Sequence, residues 1–188
     1  GSLTLGDNYQ ITFIAGTYSV LAKLPQASFR FAESAVEKTY GDGDFALAAT
    51  GEAENSIVTY SSSDPAIATV DAAGTVQIHK AGTVTITAVA SETAEHLEGR
   101  VSYTLTVARK SVTITVLDKR AYTDSAAPDL SAPVLGTDYT VDGLLGGDTL
   151  RTGPTLTYDP AVPDMRKAGT AAKIVASDAD AGENYQFA

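Results

Sequence analysis

The 188-residue chain holds no cysteine, no tryptophan and a single methionine, and carries a formal charge of −10 at pH 7 with an isoelectric point near 4.5. It therefore has no disulfide, no thiol nucleophile and no thiolate metal site. So acidic a surface repels phosphate backbones and anionic headgroups, which argues against nucleic acid and lipid as partners. No apolar run reaches the ~18 residues of a spanning helix, so no membrane insertion is expected.

Tyr9-Gln-Ile-Thr-Phe-Ile-Ala-Gly-Thr-Tyr-Ser-Val20 alternates apolar and polar residues and breaks at Ala15-Gly16, which predicts two short strands or one bulged strand. Leu21–Gln26 reads as a linker, since Pro25 cannot continue a ladder. A dense series of strand signals follows. Ser28–Ala32 is short and alternating, and Tyr40–Asp44 is a turn. Phe45, Leu47 and Ala49 share one face of the next segment. Ile57–Tyr60 leads into Ser61-Ser-Ser-Asp-Pro65, whose side chains can bond the backbone ahead. Ile67–Val70 and Thr75–Ile78 form a hairpin over Asp71-Ala-Ala-Gly74, with Gly74 supplying the positive φ. Thr83–Ala90 places Val84, Ile86, Ala88 and Ala90 on one face, and Arg100–Val107 does the same with Val101, Tyr103, Leu105 and Val107. Short strands about ten residues apart, each alternating strictly, predict an antiparallel sandwich with one face buried and one wet. Between the last two, Ser91–Glu98 predicts a loop with one helical turn.

From Lys110 the pattern restarts with Ser111–Val116, in which Val112, Ile114 and Val116 alternate. Proline and glycine then become frequent, with Ala121–Gly136 loop-like. Tyr139–Val141, Thr155–Tyr158 and Thr170–Ala176 are strand candidates. This half reads as a looser β module with fewer apolar residues per strand.

The run Val58-Thr-Tyr-Ser-Ser-Ser-Asp-Pro-Ala-Ile-Ala-Thr-Val-Asp71, then Gly74-Thr-Val76 and Lys80-Ala-Gly-Thr-Val-Thr-Ile-Thr-Ala88, resembles the bacterial immunoglobulin-like (Big, group 2) modules of surface adhesins. Gln77 stands where that family usually has threonine. The second half is similar to the MBG ("mostly β, glycine-rich") family. Val112–Val116, Tyr122 with Asp124, Val141–Leu150, Thr155–Tyr158, Ala168-Gly169 and Gly182–Tyr185 carry that resemblance. Tyr122-Thr-Asp124 lacks the glycine of the family's Tyr-Gly-Asp. Together these imply an all-β chain: an immunoglobulin-like β-sandwich and a second, smaller β-rich module, for which a β-grasp-like arrangement is one option.

Gly6-Asp-Asn-Tyr-Gln10 recurs as Gly182-Glu-Asn-Tyr-Gln186. The resemblance explains the echo as a fragment of a tandem array with a repeat on the order of 170–180 residues. Residues 1–24 would be the terminal hairpin of a preceding MBG-type repeat plus linker. Residues 25–109 would be the Ig-like sandwich, and 110–188 an MBG-type domain lacking its last strands. The six linker residues reach at most about 20 Å, so the segment 9–20 is expected to pair head-to-tail with another copy rather than fold back.

No residue is nominated as catalytic, cofactor-binding or metal-binding, no cofactor is expected, and the chain is read as not an enzyme. His79 and His96 have no partner pattern, and no Gly-x-Ser-x-Gly or His-Glu-x-x-His occurs. Asp42-Gly-Asp44, and Asp178 and Asp180 with Glu183, depart from calcium-loop spacing and read as solvated turns. Gly146-Gly147-Asp148 reads as a tight turn, with no phosphate-loop lysine behind it. Asn8, Asn55 and Asn184 are the asparagines an internal isopeptide bond would need, and none lies in a clear core strand. Tyr60, Tyr103 and Tyr158 fall in strands and are expected to pack rather than form a binding platform. The expected function is a structural or adhesive repeat on a bacterial cell surface. Its partners would be neighbouring repeats and a host or matrix protein or glycan. The alternative is a carbohydrate- or protein-binding accessory module of a secreted enzyme.

Overall fold

The computed structural model describes residues 15–188. Among them there is no helix, and twelve strands form four sheets. The first seven strands are β1 (Ala35–Thr39), β2 (Phe45–Ala46), β3 (Val58–Ser62), β4 (Ala68–Val70), β5 (Thr75–Ile78), β6 (Gly82–Ala90) and β7 (Gly99–Ala108). They build a sandwich of one sheet ordered β1-β7-β6-β3 and a second ordered β2-β5-β4. The long β6–β7 pair supplies most of the core, because strict alternation sends every second side chain inward. Val84, Ile86, Ala88 and Ala90 from β6 and Tyr103, Leu105 and Val107 from β7 are buried. They meet Ala68 and Val76 from the facing sheet. Phe29 and Phe31 close one side of this core, with Phe31 edge-on to Tyr103 at a centroid distance of 4.8 Å.

The Asp71–Gly74 turn forms as its residues dictate. Asp71 Oδ1 accepts the amides of Ala73 and Thr75 at 2.9 and 2.8 Å, and Gly74 adopts φ +81°. These amides hold the Asp71 carboxyl below its usual range, the Thr75 N–H foremost.

Four expectations need correction. Ser91–Glu98 forms no helical turn: its carbonyls are taken by the chain before the sandwich. Leu24 N–H donates to Glu95 O at 2.8 Å, Leu97 N–H to Leu24 O at 2.9 Å, and Gln26 Nε2 to Ser91 O and Leu97 O at 3.0 and 2.9 Å. The same bonds, with Lys23 Nζ donating to Thr93 O at 2.7 Å, dock the second half of the expected linker 21–26 on that loop. Ser28–Ala32 is a single bridge, Arg30 to Thr50, instead of a strand. Finally, β1 lies where no strand is expected, in parallel register with β7 from Ala35↔Thr104 to Thr39↔Ala108. The expected hairpin over 9–20 falls largely outside the described residues, and its described part, 15–20, carries no strand and is exposed.

The remaining strands are β8 (Lys110–Val116), β9 (Tyr139–Asp142), β10 (Thr155–Asp159), β11 (Lys173–Ser177) and β12 (Tyr185–Phe187). They form a sheet ordered β12-β8-β9 and a separate β10–β11 ribbon. Strand β11 starts three residues later than the alternation suggests, because Thr170 Oγ1 turns back to donate to Asp164 O at 2.7 Å. The buried cluster here is small: Val112, Ala181 and Tyr185, with Val141, Leu144, Leu150 and, from the sandwich, Tyr40 packed against it.

Candidate functional site

The two buried clusters meet around the connection between β7 and β8. One residue, Arg109, separates β7 from β8. A second chain segment flanks it on each side. Tyr40, just past β1, donates its N–H to Ala108 O at 2.9 Å. Lys110 N–H donates to Asn184 O at 2.9 Å, where β12 begins its parallel register with β8. The segments after β1 and before β12 thereby converge, and Tyr40 and Tyr185 pack edge to face with centroids 5.5 Å apart at 89°. This geometry sets the positive edge of one ring on the negative face of the other.

Polar contacts complete the junction. Asn184 Oδ1 accepts the N–H of Ala81, in the β5–β6 turn, at 2.9 Å. Lys80 pairs with Glu183 and holds its carboxyl below the usual range. Both side chains are largely exposed, so this pair adds little stability. Tyr185 Oη accepts Leu145 N–H at 3.2 Å and donates to Asp148 Oδ2. Burial, followed by that carboxylate, raises the Tyr185 phenol above its ordinary value. Gly41, at φ +92°, leaves the space that the Leu145 side chain fills: a Cβ there would sit 2.8 Å from both Leu145 methyls.

The residues weighed for chemistry are dispersed. His79 is exposed, its Nε2 2.9 Å from Thr69 Oγ1, while His96 is half-buried in the 91–97 loop. Asp42 Oδ2 accepts Thr39 N–H, Asp180 Oδ1 accepts Gly182 N–H, and Asp178 accepts from Ser177 Oγ. Each carboxylate thus serves its own turn. Among the described residues no three His, Asp or Glu side chains gather as metal ligands. Gly147 sits at φ +97° in the turn expected of it. Asn55 also has positive φ, at 62°, and the Asn184 side chain is engaged at the junction. Tyr103 is buried, Tyr60 Oη accepts Ala49 N–H at 3.0 Å and Tyr158 Oη donates to Pro128 O at 2.8 Å, so all three pack. The junction itself escaped the sequence reading, although the repeated Asn-Tyr-Gln marked one half of it.

The strands and their sheet order define an all-β protein with an immunoglobulin-like sandwich. Residues 45–101 match the family described as Bacterial Ig-like domain (group 2), whose members occur in bacterial surface proteins and are typically non-catalytic. No curated protein matches the chain.

Proposed function

We propose that this chain is a non-catalytic structural and adhesive repeat of a bacterial surface protein, in which an Ig-like module (25–109) and an MBG-type module (110–188) alternate as a coupled pair. The observation that carries this reading is the junction. A one-residue connection, clamped by backbone bonds on both flanks and by the Tyr40–Tyr185 contact, suits a spacer that keeps its modules at a fixed angle. The echo of Gly182–Gln186 at Gly6–Gln10 supports a recurring pair. The exposed apolar side chains Tyr18, Val20 and Leu21 support pairing with neighbouring repeats through the segment 9–20. Nuclear relaxation of backbone amides tests the spacer reading. A single tumbling time shared by both modules is expected, and two independent tumbling times would refute it. A second reading, a carbohydrate- or protein-binding accessory module, is favoured by one feature: Tyr122 is 89% exposed.

A further inference from the structure

The loops 119–128 and 163–172, with Ile174 of β11, border an open cleft of about 330 Å³ beside the β10–β11 ribbon. Its walls are tied to each other and to the ribbon. Asp124 N–H donates to Met165 O at 2.8 Å, tying one loop to the other, and Tyr158 Oη holds Pro128 O at 2.8 Å. Tyr122 lines the cleft with its ring in solvent. Its carbonyl accepts both the N–H and Oγ of Ser125, at 3.2 and 2.6 Å, so the backbone carrying the ring is pinned. An exposed ring on a fixed turn presents a flat apolar face at little entropic cost.

The charge of the cleft runs against that of the chain. Lys119, Arg120 and Lys167 line it against one carboxylate, Asp164. Lys119 is engaged by Asp138, whereas Arg120 and Lys167 are exposed and form no ion pair among the described residues. Asp164 Oδ1 is occupied by the Arg166 N–H at 3.0 Å. Two free cations are too few for a nucleic acid, which engages about 6–10 phosphates. The cleft is also too open to bury a compact apolar ligand. An aromatic face and a forked guanidinium lining one cleft fit a sugar ring that carries a carboxylate.

We propose that this cleft binds an acidic polysaccharide, with a sugar ring stacked on Tyr122 and its uronate carboxylate held by Arg120. The proposal rests on the adhesive part of the reading above and leaves the spacer part untouched. Calorimetric titration of the chain with a tetrasaccharide of galacturonate, and with the neutral galactose tetrasaccharide, tests it. Saturable binding of the acidic oligomer alone is expected, weakened about tenfold or more by Tyr122→Ala. Arg120→Gln should weaken it as well and flatten its salt dependence. Amide spectra of both variants should match the parent, since both side chains are exposed. Absence of saturable binding, equal binding of the neutral oligomer, or unchanged affinity in Tyr122→Ala would overturn the proposal. A shared tumbling time would stand through any of these outcomes.

Discussion

Asn184 and Ala81 are 103 positions apart, yet Oδ1 of the first accepts the amide of the second at 2.9 Å. The acceptor precedes β12 and the donor precedes β6, so one side-chain amide joins the β12-β8-β9 sheet to the sandwich. Asn184→Ala leaves that N–H without its partner and is expected to cost about 1 kcal/mol. Asn184→Asp keeps an acceptor oxygen and should cost less. Thermal unfolding ranks the two, and an Asp variant as unstable as the Ala variant would contradict the role given to Oδ1.

Tyr103 lies at the opposite extreme. Its ring is 2% exposed, and Oη finds no hydrogen-bond partner among the described residues. Tyr103→Phe removes an unsatisfied buried hydroxyl and should leave stability unchanged or raise it by about 1 kcal/mol. Burial pushes the phenol from 10.0 up to about 12. The folded value exceeds the unfolded one, so the associated stability is complete below pH 10 and is lost as pH rises through about 12. Alkaline denaturation of Tyr103→Phe should therefore be shallower over that window. The remaining slope belongs in part to Tyr185, raised in the same direction.

Asp138 runs the other way. It is the one buried charged residue among those described, and its Oδ2 accepts Val134 N–H at 2.6 Å while Oδ1 meets Lys119. The Lys119 hydrogen bond, then the Val134 amide, hold its carboxyl below the ordinary value of 3.8. A lowered folded value contributes stability above pH 3.8 that disappears as pH falls through the folded value. The Val134 amide resonance should move in that acid window. In Asp138→Asn it should not.

Two glycines with similar φ separate strain from crowding. Gly51 has φ +83° and a Cβ there would collide with the Ser28 carbonyl, whereas Gly147 has φ +97° and open space around it. Gly147→Ala should cost only the left-handed conformation, about 1–2 kcal/mol. Gly51→Ala should add an overpacking cost of about 1–3 kcal/mol. Chemical denaturation midpoints measure the difference, and equal shifts would refute it.

The sandwich was legible because its information is local. Val84, Ile86, Ala88 and Ala90 alternate along one strand, and that pattern alone assigns a buried face. What escaped depends on distant partners. Strand β1 buries one fully apolar side chain, Val36, and exists because β7 offers a parallel edge about 70 positions later. The 91–97 loop carries residues compatible with a helical turn, but Leu24 and Gln26 bind its carbonyls first. At the junction, Tyr185 could be read as another alternating strand residue. Its ring partner Tyr40 and its hydroxyl partners Leu145 and Asp148 are set by the tertiary fold. Tyr122 was visible only as a motif residue, since its exposure is a property of two loops tied together.

The parallel ladders on either side of Arg109 have a mechanical consequence. Traction along the chain would pull β1 and β7, and then β8 and β12, lengthwise past each other. The backbone bonds of each pair must then yield together rather than one after another, as they would if the strands were peeled apart. Under such traction the link at Arg109 would open only after both ladders had sheared.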